Sequence, residues 1–157
     1  MATVNLDRTD KAILHCLMED PRTSIANIAR TVGVQRDTVT YRIERFEKRG
    51  LITKYHTIVE PRALGCEIFM LVLIKTKPVA KKVLQGFLDQ LIAHKNVTHV
   101  SRLVGKYDYM LQMAASDIVT FDNALDEIKG MQSGVVAEIE LASVIDGLKI
   151  DDFSGLV

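Results

Sequence analysis

The sequence predicts an α+β protein, and three observations lead to that expectation. Its 157 residues are enough for one large domain or two small ones. Apolar residues follow the helical period over the first 50 residues, and the pattern then changes to strands alternating with helices. Charge divides in the same way: residues 1–55 hold ten basic and seven acidic side chains, whereas residues 56–157 hold ten and thirteen. A net charge of +3 in the first part indicates that this part meets a polyanion.

Composition excludes several other classes of protein. The longest apolar run, Ile68 to Ile74, is far shorter than the roughly 20 residues of a membrane span. The first residues lack the basic and apolar regions of a secretion signal. The two cysteines, Cys16 and Cys66, are too few for a disulfide framework. We therefore expect a cytoplasmic protein.

Three helices are predicted in the first 50 residues. Asp7 and Asp10 precede an apolar stripe and suit the first turn of a helix, which Asp20-Pro21-Arg22 ends. Ser24 caps a second, short helix. A third helix of about 14 residues follows Gly33 and ends at Arg49-Gly50, where a basic last turn meets a glycine.

The spacing of small and apolar residues around Gly33 predicts a helix-turn-helix motif. Ala29 leaves room where two helices cross, Gly33 tolerates the positive φ of the turn four residues later, and Val39 anchors the next helix six residues on. A helix of roughly 21 Å fits the major groove of B-DNA. The alternative is a three-helix domain with a solvated charged surface.

Candidate DNA-binding residues are the polar side chains left outside the apolar stripe. Four at the start of the third helix suit base edges, since Arg favours guanine and Gln favours adenine. Others suit phosphates. The base-edge set is Gln35, Arg36, Thr38 and Thr40; the phosphate set is Tyr41, Arg42 and Arg45; Ser24 and Asp37 complete the predicted interface.

The second part of the chain predicts a ferredoxin-like βαββαβ domain. A β-prone segment, Leu51 to Val59, is predicted as a connecting strand. The predicted domains are residues 1–52, a connector at 53–62, and 63–157. Within the last, we expect strands at 68–74, 97–104, 107–114 and 135–144, helices at 80–94 and 117–129, and a short edge strand in the tail.

The sheet of such a domain has helices on one side only, so its other side needs a polar surface or a partner. Residues such as Met70, Val72 and Met113 are predicted on that open side, where they would form a self-complementary interface. A dimer also suits DNA, because two half-sites lie about 34 Å apart. We therefore expect a homo-oligomer.

Motifs throughout the chain resemble the leucine-responsive / asparagine regulator (Lrp/AsnC, feast/famine) family. The resemblance implies a transcriptional regulator that binds double-stranded DNA and an amino acid, and assembles into dimers and often octamers. The similar motifs are Leu6-Asp7-x-x-Asp10-x-x-Ile13-Leu14, Asp20-x-Arg22, Ile28-Ala29, Val32-Gly33, Arg42-Ile43-x-Arg45-Phe46-Glu47-x-x-Gly50-Leu51-Ile52, Val104-Gly105-Lys106-Tyr107-Asp108 and Gly134-Val135.

The same resemblance implies an effector site at the turn formed by Gly105, Lys106, Tyr107 and Asp108. In that site, backbone N–H groups of the turn would bind the carboxylate of the effector, and Asp108 would bind its amino group. The residues alone also fit a plain hairpin, with glycine at positive φ and aspartate capping the turn.

Glu138 and Glu140 also belong to the predicted effector site, because alternate strand residues share one side of a sheet. Lining a pocket, the two carboxylates would favour a basic ligand. The alternative is that they are solvated or pair across strands.

Enzymatic motifs are absent from the sequence, so we expect a protein without catalytic activity, cofactor or metal site. The histidines His15, His56, His94 and His99 show no metal-binding spacing. One enzymatic alternative stays open, because siroheme decarboxylases share the two-domain architecture and use histidine and arginine. His99 and Arg102 differ by three positions on one strand, however, and so point to opposite sides. A third alternative is an effector-sensing subunit that does not bind DNA.

Overall fold

A computed structural model of the chain describes residues 5–131 and 134–145. The described chain divides into two compact units, of which the first ends at Ile58 and the second begins at Val59. The domain limits predicted above stay a prediction.

Three helices form the first unit: α1 (Arg8–Glu19), α2 (Ile25–Val32) and α3 (Arg36–Lys48). The first two begin directly after side chains that cap them. The Asp7 side chain accepts a hydrogen bond from the Asp10 backbone N–H, and Ser24 accepts one from that of Asn27. Gly33 has a φ of 75° in the left-handed region, as the motif requires.

The core of the first unit joins one apolar stripe from each helix. Ala29 and Val39, two of the motif residues, are buried in it, which fixes the crossing of α2 on α3. The remaining buried apolar members are Ile13, Leu14, Leu17, Ile28 and Phe46.

Four strands and two helices form the second unit, after a short 3-10 helix at Pro61–Leu64. The elements are β1 (Ile68–Thr76), α4 (Lys81–Ala93), β2 (Val97–Arg102), β3 (Tyr109–Ala115), α5 (Ile118–Gly130) and β4 (Val136–Ser143). The sheet order is β2-β3-β1-β4, and every neighbouring pair is antiparallel. This topology confirms the predicted ferredoxin-like arrangement.

The assignment of residues to the open side of the sheet was wrong. Val72 and Met113 lie in the core with Phe87 of α4 and Leu125 of α5, and Met70 packs against that core. The other side of the sheet carries the residues that alternate with them, including Leu71, Leu73 and Met110. In a strand that is apolar at every position, alternation leaves two equivalent choices, and only the helices decide between them.

The connecting segment differs from its prediction as well. Residues 53–60 form neither helix nor strand, and Ile58 and Val59 are exposed. A strand needs a neighbour for its backbone hydrogen bonds, and no neighbour for this segment exists among the described residues. The predicted edge strand of the tail lies outside the described residues.

Among the described residues, no helix is both long enough and apolar enough to cross a membrane.

Candidate DNA interface and effector site

The surface of α3 presents most of the predicted DNA-binding residues to solvent. Gln35 is the N-cap residue, and its side chain makes no capping hydrogen bond. Arg36, Asp37, Thr40 and Tyr41 are exposed. Thr38 is half-buried, and the Thr40 hydroxyl donates a hydrogen bond to the Arg36 carbonyl over 3.2 Å. The first two turns of α3 therefore carry an exposed polar surface.

Arg42 and Arg45 are instead engaged within the protein. Arg42 Nη1 lies 2.6 Å from Asp7 Oδ2 and 2.5 Å from Asp10 Oδ1, and Arg45 Nη2 lies 2.6 Å from the same Asp10 oxygen. Asp10 is 2% exposed. The hydrogen bond from Arg42 lowers the pKa of Asp7, and Asp7 and Asp10 raise the pKa of Arg42. This cluster ties α3 to the start of α1.

Ser24 stands at the start of α2, where its hydroxyl oxygen accepts the Asn27 N–H over 3.2 Å. Next to α2, an open notch of about 590 Å³ lies at the helix-turn-helix turn. It is lined by residues of α2, the turn and the start of α3, among them Arg30 and Arg36. Sequence reasoning did not single out Arg30. Its position on the exposed side of the helix before the turn was the available signal.

The structure brings together four of the six predicted effector-binding residues. The Lys106 ammonium donates to the Tyr107 hydroxyl over 2.6 Å and lies 3.3 Å from Glu138 and 3.5 Å from Glu140. The Tyr107 hydroxyl hydrogen-bonds to Glu140 and lies 3.1 Å from Glu138 Oε1. Both carboxylates are thus paired rather than free, although their side chains are about half exposed.

Protonation in this cluster follows from its hydrogen bonds. The bond to Glu140 raises the pKa of Tyr107, and the Tyr107 hydroxyl lowers the pKa of Glu140. The Tyr107 hydroxyl and Glu138 raise the pKa of Lys106. At neutral pH the Lys106 ammonium and the Glu140 carboxylate are therefore charged and the Tyr107 phenol is neutral.

Asp108 lies next to the cluster in sequence but bonds elsewhere. Its carboxylate accepts hydrogen bonds from the Thr76 N–H over 2.8 Å, the Thr76 hydroxyl over 2.9 Å and the Lys75 ammonium over 3.1 Å. The Thr76 backbone bond and then Lys75 lower the pKa of Asp108. The carboxylate joins the β2–β3 turn to the end of β1, instead of capping its own turn as the plain-hairpin alternative expected.

The β2–β3 turn leaves backbone donors available. Gly105 has a φ of 148°, which agrees with the predicted need for glycine. The backbone N–H groups of Gly105, Lys106 and Tyr107 make no hydrogen bond within the described part of the chain. Such successive free N–H groups can donate hydrogen bonds to a carboxylate.

His99 and Arg102 do not form one site. His99 pairs with Gln112 and Arg102 with Tyr109, two partners that differ by three positions and so lie on opposite sides of the sheet. His99 Nε2 lies 2.7 Å from the Ser101 hydroxyl. Within residues 5–131 and 134–145, no three His, Cys, Asp or Glu side chains form a group that could hold a metal ion.

A helix-turn-helix unit followed by a ferredoxin-like unit is an architecture that fits a transcriptional regulator with a domain for a small-molecule effector. Family models agree: residues 6–47 match the AsnC-type helix-turn-helix domain, and residues 70–147 match the Lrp/AsnC ligand binding domain. The chain belongs to the Lrp/AsnC family.

Curated relatives of the chain are named as transcriptional regulators. The chain is 30% identical over 148 residues to the transcriptional regulator AzlB of Bacillus subtilis, covering 90% of this chain and 94% of that protein. It is 28% identical over 127 residues to the regulator FL11 of Pyrococcus furiosus, covering 81% and 82%.

Solved structures show the same fold. A transcriptional regulator from Neisseria meningitidis, solved as its L-Met complex, has a TM-score of 0.84 at 22% identity and covers 93% of this chain and 94% of its own. Escherichia coli AsnC has a TM-score of 0.82 at 23% identity, covering 96% and 99%.

Proposed function

We propose that this protein is an oligomeric transcriptional regulator that inserts α3 into the major groove of its operator and responds to an amino acid. The observation that carries the proposal is the exposed polar surface at the start of α3, placed there by a buried helix-turn-helix core. A helix of 13 residues is about 20 Å long, which suits the groove.

The proposed interface keeps most of the residues selected from sequence. Gln35, Arg36, Thr38 and Thr40 contact base edges, while Ser24, Asp37 and Tyr41 border the groove. For Arg42 and Arg45 we propose a different role: both hold α3 against α1 through Asp10, since their guanidinium groups already bind carboxylates. This division predicts that base recognition is concentrated in the first two turns of α3.

The proposed effector site is the β2–β3 turn together with β4. Its free backbone N–H groups and the Lys106 ammonium suit the carboxylate of an amino acid. Asp108, which ends this turn and is bonded to the end of β1, would bind the amino group by exchanging its bond with Lys75. The L-Met complex of the Neisseria meningitidis regulator supports an amino acid as the class of effector.

Glu138 and Glu140 pair with Lys106 and Tyr107. This pairing favours the hypothesis that the two carboxylates are engaged within the protein over the hypothesis that they bind a basic ligand. The carboxylates hold the turn side chains and leave only one net negative charge. We therefore expect thermal-shift screening of the amino acids to reveal no general preference for lysine or arginine. A stabilisation confined to these two ligands and abolished in Glu138→Gln would restore the basic-ligand hypothesis.

Subunits are proposed to pair through the open side of the sheet. Leu71, Leu73 and Met110 lie there, outside the core that α4 and α5 cover. An apolar surface of this kind is an isologous interface when a second copy covers it. Pairing places two helix-turn-helix units on one operator.

The decisive experiment is selection of bound fragments from random duplex DNA, with and without added amino acids. A recovered motif with two half-sites supports the proposal. Arg36→Ala should then weaken binding to the selected duplex by about 1–3 kcal/mol, with relaxed specificity at one position. Recovery of no motif, together with amino acid binding in the thermal-shift screen, would favour a sensor that does not bind DNA.

A further inference from the structure

The notch at the helix-turn-helix turn combines a concave shape with positive charge. Ala26, Ala29 and Gly33 contribute little or no side chain to its lining, so the surface stays open between α2 and the start of α3. Arg30 of α2 and Arg36 of α3 line the same notch, and both side chains are exposed. Two guanidinium groups therefore border one small depression.

Arg30 and Arg36 keep their charge available. In the described part of the chain neither forms an ion pair, in contrast to Arg42 and Arg45. The Arg30 Nη2 donates to the Asn27 side-chain carbonyl over 3.0 Å. Asn27 is neutral and also lines the notch, so this bond directs the guanidinium without neutralising it.

The chemistry of the notch matches a phosphodiester. Guanidinium groups bind phosphate oxygens through paired N–H donors. The other cations of α3 are engaged: Arg42 and Arg45 bind Asp10 of α1, and Lys48 pairs with Glu44 over 3.4 Å. DNA affinity depends on cations that meet phosphates, so they must be supplied from elsewhere on the unit.

From this arrangement we propose that the notch receives a backbone phosphate of the operator, bound by Arg30 and attracted by the neighbouring charge of Arg36. The inference rests on the proposed function, since it names a phosphate contact of the same DNA interface. It adds Arg30 to that interface and assigns it a role independent of base sequence.

The salt dependence of DNA binding tests the notch. Fluorescence anisotropy of the full-length protein is measured with a selected duplex and with a scrambled duplex, at several salt concentrations. Arg30→Ala should reduce the slope of log Kd against log salt by about 0.9 for each notch that is occupied. The loss of affinity should be equal for both duplexes.

Two matched variants control for folding and for net charge. Arg30→Lys keeps the charge and should retain the wild-type slope. Arg102→Ala removes one exposed arginine from the second unit and should also leave the slope unchanged. Circular dichroism checks that Arg30→Ala keeps its helices.

An unchanged slope for Arg30→Ala would overturn the inference, as would an equal drop for Arg102→Ala. An unchanged slope combined with lost regulation in a purified transcription assay would assign the notch to a protein partner instead. A wild-type protein that binds neither duplex would overturn the proposed function, and this inference with it.

Discussion

Asp10 brings a carboxylate into the core of the first unit, where two arginines of α3 share one of its oxygens. Asp10 also completes the capping box of α1 by accepting the Asp7 N–H. One residue thus determines how α1 begins and where α3 lies against it.

Replacing Asp10 with alanine should lower the free energy of unfolding by about 1.5–3 kcal/mol, the usual contribution of hydrogen bonds to charged groups. Arg45, 27% exposed, would lose its carboxylate partner, and Arg42, 19% exposed, would keep only Asp7. Urea denaturation followed by circular dichroism measures the change. Glu19→Ala, at an exposed position of the same helix, is the control and should change stability by less than about 0.5 kcal/mol. Equal losses in both variants would contradict the assigned role.

Asp108 should make stability depend on pH in the acid range. Its folded-state pKa lies below the ordinary value of 3.8, because Thr76 and Lys75 bind the charged form. The ionised Asp108 therefore stabilises the fold fully above pH 3.8, its ordinary pKa. This contribution is lost as the pH falls through the lower, folded-state pKa. We expect the stability difference between wild type and Asp108→Asn to be constant near neutral pH and to shrink below about pH 4.

Thermal unfolding at a series of pH values measures this difference. Asp122→Asn provides the control, since Asp122 is exposed on α5 and its side chain forms no hydrogen bond with the rest of the described chain. A gap between wild type and Asp108→Asn that stays constant down to pH 2 would refute the proposed ionic contribution.

The turn between α2 and α3 depends on the backbone freedom of Gly33. At a φ of 75°, a Cβ would meet no atom within 4 Å, so the cost of a side chain is conformational rather than steric crowding by neighbours. Gly33→Ala should therefore destabilise the first unit by about 1 kcal/mol.

Gly130→Ala is the matched control for Gly33→Ala. Gly130 ends α5, has equally open surroundings and does not adopt a positive φ. Alanine should be neutral or slightly stabilising there. Denaturant midpoints of the two variants should move in different directions or by clearly different amounts; a similar loss in both would disprove the conformational argument.

Strand β1 shows how an element acquires its two sides. Val72 and Ile74 are fully buried beneath the helices, whereas Leu71 and Leu73 are half-buried on the other side. The chemical identity of these four side chains is nearly the same. Their separation arises from the position of α4 and α5, which the local sequence of β1 does not contain.

At the level of the assembly, Leu73→Arg should prevent subunits from pairing. An unpaired charge buried in an interface costs at least about 3 kcal/mol, which corresponds to roughly a 100-fold rise in the dimer dissociation constant. Light scattering over a range of concentrations measures the mass. Gln85→Arg, on the exposed side of α4, should leave the oligomer intact. If Leu73→Arg has the same oligomeric mass as the wild type, the open side of the sheet is not the interface.

Local patterns in the sequence were sufficient for the three helices of the first unit, the Ser24 cap and the helix-turn-helix motif. The reason is that caps, turns and helical periodicity depend on residues a few positions apart, as Ser24 with Asn27 and Ala29 with Gly33 illustrate. The order of strands and helices in the second unit followed from the same kind of local signal.

Tertiary structure alone decided which partner each side chain meets. Arg42 meets Asp7 and Asp10 from 32 or more positions away, and Lys106 meets Glu138 across a similar separation. The side of the sheet that Val72 occupies was decided in the same way. These partners and this side of the sheet depend on contacts between distant segments. A linear pattern of polar and apolar residues fits more than one such arrangement and cannot decide between them.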